Sequence, residues 1–495
     1  MTTKIINVIV LLIGALFLPL TAQQPITLER SLEVAVKNSP QIRRYQLNLE
    51  RSQHALNART ASLKTQFSLN LTPLRFDQTR RFNDLFSTWY STRSTSSSGS
   101  FTISQPLQWT DGTLELINAL SWQDSYSGFQ DITDKSYRNY LYVSYRQPIF
   151  TYNRTKLDLN VLELDLENSA LNYAIQRLYL EYLVTQNFYS VYQKKSSMSV
   201  SIDEYQNRQQ SYNIIKNKVE AGLAAKEELY QAELDLTSSK SKVQNAETDL
   251  DNALDGFKKL IGLSIFEDIT VTADITHTPV EIEIEKALDT ALKYRMELRQ
   301  REIDIENARY DLLRASATNE FRGDVNLSYG IIGTDPDLKN VFDNAEKSQA
   351  VSIQFQIPFI DWGYRKSTIE AYKVSVQSRE LSFEDQKNEI LIEVRQAYRN
   401  LKNLVNQIEI AEQNVRNAQL TYDINLERYE NGDITSMDLN LFQNQLSQAK
   451  MSKINALINY KLELLNMKVL SLYDFERNQR VVTDMLEASA ISNKK

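Results

Sequence analysis

Cysteine is absent from the chain, which excludes disulfides, thiolate metal sites, a cysteine nucleophile and a thioether-linked lipid anchor. Residues that break regular structure are nearly as scarce. Twelve glycines and nine prolines in 495 residues fall far below the usual shares of roughly 7% and 5%. So few turns over such a length predict long helices and argue against a string of ordinary compact domains. Histidine is limited to His54 and His277, neither of which has ligand-like spacing around it, so both are expected in packing or surface roles. There is no excess of positive charge: the net charge is −7, with no basic stripe for nucleic acid. No nucleophile elbow, acid–base pair or phosphate-cradling glycine loop is present. The chain is expected to be no enzyme, to hold no cofactor or metal, and to power nothing by itself. After Leu20 no segment approaches the ~18 consecutive apolar residues of a transmembrane helix. If the mature chain crosses a membrane, it does so with strands.

What the sequence does contain is itself, twice. Val219-Glu220-Ala221-Gly222 and Tyr429-Glu430-Asn431-Gly432 lie 210 positions apart, and the same offset carries Pro148 onto Pro358. An offset of 256 aligns Ser31-Leu32-Glu33-Val34-Ala35 with Ala287-Leu288-Asp289-Thr290-Ala291, and Leu71 with Leu327. The change of offset means that the first copy holds 46 extra residues between Leu71 and Pro148. Each copy reads as helix, β-rich segment, long helix, turn and return helix. In the first copy (23–279) the expected elements are a helix over 28–64, a β segment over 65–148, a long helix over 152–220, a return helix over 224–262 and a linker over 263–279. In the second copy (280–472) they are a helix over 281–318, a β segment over 321–358, a long helix over 362–430 and a return helix over 435–470. A tail over 473–495 completes the chain. Residues 1–22 read as a removable secretory signal: Lys4, the apolar run Ile5 to Leu20, then Ala22 before the cut.

Two periodicities separate rod from sheet. Leu157, Val161, Leu164, Leu171, Ile175 and Leu178, and in the second copy Ile390, Val394, Ala397, Leu401, Leu404 and Ile408, step by three and four. That is a coiled-coil stripe. A helix of some 65 residues runs on the order of 100 Å. In the β segments Phe67, Leu69 and Leu71 alternate with Ser68, Asn70 and Thr72, as Val351, Ile353 and Phe355 alternate with Ser352, Gln354 and Gln356. A membrane barrel with lipid outside and water inside gives this alternation, and so does a soluble sandwich. Trp89, Tyr90, Trp109, Trp122, Tyr137, Tyr140 and Tyr145 favour the barrel, which needs aromatic girdles at its interfaces. The extra residues of the first copy read as two short strands, Ser100 to Trp109 and Thr113 to Trp122, which are expected to project from the wall or insert only partly. The polar stretches Asp77 to Ser98 and Gln123 to Ser136 read as surface loops.

With its two glycine turns, the acids Glu228 and Asp438 six residues beyond them, Pro148, Pro358 and the repeat itself, the chain resembles TolC-like outer-membrane efflux proteins over essentially its whole mature length. The resemblance implies a mainly α fold with β: two tandem helix–β–helix hairpin repeats forming a long α-helical coiled-coil barrel joined to a transmembrane β-barrel, as a homotrimer. It implies a passive channel-tunnel of a tripartite export system, set in outer-membrane lipid of a Gram-negative cell and extending into the periplasm. Its partners would be a periplasmic membrane-fusion adaptor and an inner-membrane pump. The competing expectation is an exported coiled-coil scaffold or adhesin without a pore.

The resemblance also assigns residues. Gly222, Leu223, Ala224, Gly432 and Ile434 fall on the helical turns where adaptors dock, although a glycine there is explained equally by the left-handed turn residue. Asp438, Leu441, Asp433, Tyr429 and Glu228 fall around the periplasmic entrance. Asp438 matches the first of a pair of acids spaced by three, and Leu441 stands at the second, so a single acid ring with an apolar collar is implied. Three residues beyond Thr435, Asp438 also suits a helix cap. Tyr429 and Glu228 match positions that hold the entrance closed, and Ile434 replaces an arginine of that latch. Pro148 and Pro358 mark junctions between strand and helix.

Overall fold

A computed structural model describes residues 24–273, 275–276, 278–343 and 345–481. The signal segment expected over 1–22, His277 and the end of the tail (482–495) lie outside the described residues. The described residues divide into two compact units, 48–169 with 299–384, and 24–47 with 170–298 and 385–481.

The first unit contains one antiparallel sheet of six strands: β2 (Gln66–Asn83), β3 (Thr88–Leu107), β4 (Gly112–Ser127), β5 (Ile132–Ile149), β7 (Arg322–Asp335) and β8 (Glu346–Gln356), paired in that order. The sheet is open, with β2 and β8 as its edges. Strand pairing corrects two sequence expectations. The extra residues of the first copy do not project: β3 and β4 are full strands within the sheet, each hydrogen-bonded on both sides. The stretches expected as loops are also mostly strand, and the connections left are the short segments 84–87 and 128–131. Serine- and threonine-rich sequence is paired here hydroxyl to hydroxyl, as where the Thr79 and Thr92 Oγ1 atoms lie 2.8 Å apart. Such cross-strand pairs stabilise a sheet, although the same residues read singly as turn formers.

Register gives the sheet two chemically distinct faces. Paired residues share a face, so Leu69–Phe101, Ile103–Leu116, Leu116–Val143, Val143–Tyr329 and Leu327–Val351 extend one apolar surface over all six strands. Ser68, Ser100, Thr102, Glu115, Ser144, Asn326 and Ser352 lie on the other. Where β2 would lose this phase, a bulge between Thr72 and Arg75 absorbs Pro73, which has no ladder donor to give, and returns Phe76 to the apolar side. Large apolar side chains on that side, including Phe67 at 67% and Val351 at 72%, are left exposed.

The helices are α1 (Leu28–Asn38), α2 (Pro40–Ser62), α3 (Arg154–Glu220), α4 (Lys226–Ile261), α5 (Ile284–Tyr294), α6 (Met296–Ser316), the short α7 (Asn340–Asp343), α8 (Tyr364–Asn431) and α9 (Ser436–Ser471). The single helices expected over 28–64 and 281–318 are each broken. Ser39, held at ψ 123° ahead of Pro40, separates α1 from α2, because proline bars its predecessor from the helical region. Arg295, at ψ 123°, separates α5 from α6, and its guanidinium is clamped by Glu297 and Glu393 at 2.7 and 2.6 Å. Pro148 is also corrected. It pairs with Asp324 inside β5, and the passage to helix falls at Phe150, with φ +63°, through Asn153. Pro358 does lie between β8 and α8.

In the second unit a core gathers Ile26, Ala35, Ile42, Leu180, Val184, Phe188, Phe257, Ile261, Val271 and Ile458. Two parallel strands, β1 (Gln24–Ile26) and β6 (Ile269–Val271), contribute to it. Gly262 ends α4 at φ +76° against the Asn38 carbonyl oxygen, which any Cβ would meet at 2.6 Å. Glycine is therefore required there on two counts. The tail folds back as β9 (Tyr473–Asp474) and β10 (Gln479–Arg480), with the Lys286 ammonium 4.1 Å from the Tyr473 ring centroid.

Candidate functional site

The residues assigned to the entrance and to adaptor docking all lie where α3 turns into α4 and α8 into α9. Both long helices end in the same hydrogen-bonded cap. Gly222 N–H donates to the Val219 carbonyl (3.0 Å) and Leu223 N–H to Lys218 (2.7 Å), while Gly432 N–H donates to Tyr429 (3.1 Å) and Asp433 N–H to Arg428 (2.9 Å). These are Schellman caps, which satisfy the last helical carbonyls and put the next residue in the left-handed region. Gly222 and Gly432 occupy it at φ +74° and +88°, and a Cβ at either would meet nothing. The requirement for glycine here comes from backbone conformation alone. Gly222, Leu223, Gly432 and Asp433 are exposed, Leu223 at 79%, and Ala224 and Ile434 are partly so.

Beyond the turn the two sites differ. Thr435 and Asp438 form a reciprocal capping box at the start of α9: Asp438 N–H donates to Thr435 Oγ1 (3.2 Å), and Asp438 Oδ2 accepts from Thr435 N–H (3.1 Å) and Thr435 Oγ1 (2.7 Å). Hydrogen bonds from the Thr435 side chain and backbone hold the Asp438 carboxyl below its ordinary range, since they are made to the charged form. At the start of α4 the equivalent residue is Ala225, which offers no side-chain cap, and Glu228 is exposed.

Tyr429 is buried, with 2% of its surface accessible. Its hydroxyl reaches the Ser211 carbonyl of α3 at 3.5 Å, and Lys218 Nζ donates to its carbonyl at 2.9 Å. Burial drives the phenol up to about 12. Tyr429 thus belongs to a core with Ile215, Tyr422, Leu439 and Leu446, joining the last turn of α8 to α3 and α9. Leu441 is exposed at 53%, on the same flank of α9 as Met437, one turn earlier.

A buried polar layer lies further along the same helices. Glu204 and Arg208 of α3 are both buried. Glu204 accepts from Lys242 Nζ of α4 at 2.8 Å, and Arg208 Nη2 donates to Asn444 Oδ1 of α9 at 3.3 Å. Gln443 donates to the Glu204 carbonyl oxygen at 3.2 Å. Desolvation pulls the Arg208 guanidinium below its ordinary value, against the opposing pull of Asp235 and Glu204. Sequence reasoning missed this layer, although it had a signal. Glu204, Arg208, Ser211 and Ile215 step by four, three and four, the spacing of a buried helix stripe, but its first members are charged. Among the described residues no group of three or more histidines or acids is placed to hold a metal, and no helix is long and apolar enough to cross a membrane.

Comparison with known proteins concerns the second repeat and the fold. Residues 287–470, most of the second repeat, match the family described as outer membrane efflux protein. No curated protein sequence matches the chain. Among solved structures, the chain is similar to the CmeC outer membrane channel of Campylobacter jejuni, with TM-score 0.70 and 14% identity over 94% of this chain and 89% of that one. It is also similar to the MtrE outer membrane channel of Neisseria gonorrhoeae in its open state (TM-score 0.64, 16% identity, 90% and 88% covered). The outer membrane protein VceC of Vibrio cholerae gives TM-score 0.65 at 13% identity, with 90% and 96% covered. At these identities the likeness concerns the fold alone, and the family match is confined to the second repeat. The second repeat is thus similar to the outer membrane efflux proteins, and the chain as a whole shares the fold of solved outer membrane channels.

Proposed function

We propose that three copies of this chain form a passive duct through the outer membrane, each supplying its sheet to one closed barrel and its helix pairs to one periplasmic tunnel, in a tripartite export system. The observation that carries this reading is the sheet's continuous apolar face beside a polar one, on a chain whose second repeat matches the efflux family. Exposed Phe67, Leu69, Val351 and Ile353 cost little against acyl chains and much against water. An open sheet edge is not tolerated in lipid, so β2 and β8 call for neighbours. A scaffold or adhesin without a pore has no use for such a face, and that expectation is set aside.

The turn ends of α3/α4 and α8/α9 serve as the entrance and as the docking points of a periplasmic adaptor, which links the duct to an inner-membrane pump. Leu223, Ala224 and Ile434 offer apolar contact around Gly222 and Gly432. With its carboxylate already committed to Thr435, Asp438 acts first as a helix cap, and the ring it forms with its copies attracts cations weakly. Leu441 adds an apolar collar next to it. Glu228 and Asp433 complete the rim with charge. Tyr429 closes the entrance indirectly, by fixing α8 to its own chain. Purified protein reconstituted in planar bilayers tests the duct: trimers with discrete single-channel conductance are expected, and trimers that never conduct would refute it. Cross-linking from positions 222 and 432 in cells tests the docking points by capturing the adaptor.

A further inference from the structure

We infer that the outer-membrane segment is a barrel of eighteen strands with a bore nearly twice as wide as the internal repeat alone would give, so that it admits helical polypeptide as well as small solutes. The inference rests on the trimeric duct proposed above. The repeat accounts for two strands in each copy, β2 with β5 and β7 with β8, hence four per chain and twelve per trimer. Strands β3 and β4 raise the count to six per chain.

Four observations place the added pair in the wall. First, pairing runs the length of the strands: β3 follows β2 from Gln66–Ser104 to Asn83–Thr88 with one bulge, and β4 follows β5 from Thr113–Arg146 to Ser127–Ile132. Second, the added strands keep the two faces of the sheet in phase. Phe101, Ile103, Leu114, Leu116 and Leu120 continue the apolar surface, and Ser98, Ser100, Thr102 and Ser104 continue the polar one. Third, the turn between them is fastened. Asp111 Oδ1 accepts from Thr155 N–H (3.0 Å) and Thr155 Oγ1 (2.6 Å), and Oδ2 accepts from Arg154 N–H (3.3 Å), capping the start of α3, while Asn153 Nδ2 donates to the Gln108 carbonyl at 2.7 Å. Fourth, strand direction alternates through all six, so β8 of one copy runs opposite to β2 of the next and can pair with it antiparallel.

Strand spacing of ~4.8 Å and a tilt of ~40° put the backbone of an eighteen-stranded barrel at a radius of about 18 Å, against about 12 Å for twelve strands. A side-chain lining of ~5 Å, half the usual gap between packed sheets, leaves bores of about 26 and 14 Å. An α-helix is about 10–12 Å across with its side chains. It passes the wider bore with space for water around it and fills the narrower one. The residues β3 turns inward are nearly all small hydroxyls, which do not narrow the lumen.

The absence of native cysteine makes the wall directly readable. In proteoliposomes of full-length trimer, Thr102→Cys should react with a membrane-impermeant maleimide, whereas Phe101→Cys should react only with a lipid-soluble one. Equal reaction of both with the impermeant reagent would show a hairpin in water and overturn the inference. Polymer exclusion in planar bilayers supplies the width. Probing from both sides, the larger cutoff radius should fall nearly twofold when residues 88–127 are deleted, and an unchanged cutoff in a conducting trimer would overturn the count. Should the deletion variant fail to assemble, the two cysteine variants still decide the matter. Monomers that never conduct would instead remove the duct reading, and this inference with it.

Discussion

The two helical turns bend alike and are anchored differently. Gly222 and Gly432 close identical backbone caps in open space, but only the second turn is followed by a capping box and preceded by a buried aromatic. Where α8 carries Tyr429, α3 carries Val219; where α9 opens on Thr435, α4 opens on Ala225. Reversal of a long helix thus requires the glycine and little else. Fixing the reversed pair in one orientation requires side chains, and the second repeat supplies most of them. If these turns form the proposed entrance and it moves in transport, the α3/α4 turn has less to undo.

The contrast is broken most strongly at Tyr429. Tyr429→Ala should cost about 3–5 kcal/mol, as for other buried aromatics truncated to alanine, and should raise hydrogen exchange in the last turn of α8 and the first turn of α9. Val219→Ala should cost far less. Cutting into the layer beneath, Glu204→Ala leaves Arg208 buried without its carboxylate and should cost about 3 kcal/mol or more, read as a lower thermal midpoint that Glu204→Gln recovers in part. The glycines test sameness. Gly222→Ala and Gly432→Ala should each cost about 1 kcal/mol, and nearly equally, because only the left-handed backbone is penalised. Unequal losses would show that the turns differ in more than their anchors.

The caps can then be exchanged. Thr435→Ala should lose about 1 kcal/mol, while Ala225→Thr, three residues before Glu228, should gain about 0.5 kcal/mol by creating the missing box. The smallest effects are pH-dependent and have opposite signs. Tyr429 has its phenol raised in the folded state, so its contribution is full below pH ~10 and is lost as pH rises towards 12. Tyr429→Phe should remove that alkaline loss. Asp438 is lowered, so its contribution is present above about pH 4 and is lost as pH falls through the folded value. Exchange of the first turn of α9 in acid should therefore depend on pH in the native chain and not in Asp438→Asn.

Legibility in the sequence tracks the strength of local signals. Glycine spacing, the heptad stripes and the alternation in β2, β7 and β8 expose the repeats, because each is enforced by backbone geometry within a few residues. The breaks at Ser39 and Arg295 are less visible: Pro40 announces the first, whereas the second is held by Glu393, almost a hundred residues away. The first half of β3, the end of β2 and the end of β4 read as loops because serine and threonine satisfy turns and sheets alike, and only the partner strand decides between them. Tyr429 carries the reverse difficulty. Its position suggests a latch between neighbouring coils, and its burial within its own chain depends on Ser211 and Leu439, which no short window contains.

The fastening of the turn at 110–112 to the start of α3 has a consequence for how such channels grow. In the proposed duct, strands can be spliced into this sheet only in pairs, since an odd number would deliver the chain to the wrong side of the bilayer and leave the long helix outside the cell. In the proposed trimer, parity therefore fixes the increment of enlargement: one hairpin per copy and six staves per assembly. In such a duct the diameter of the pore is quantised by topology before selection acts on any side chain that lines it.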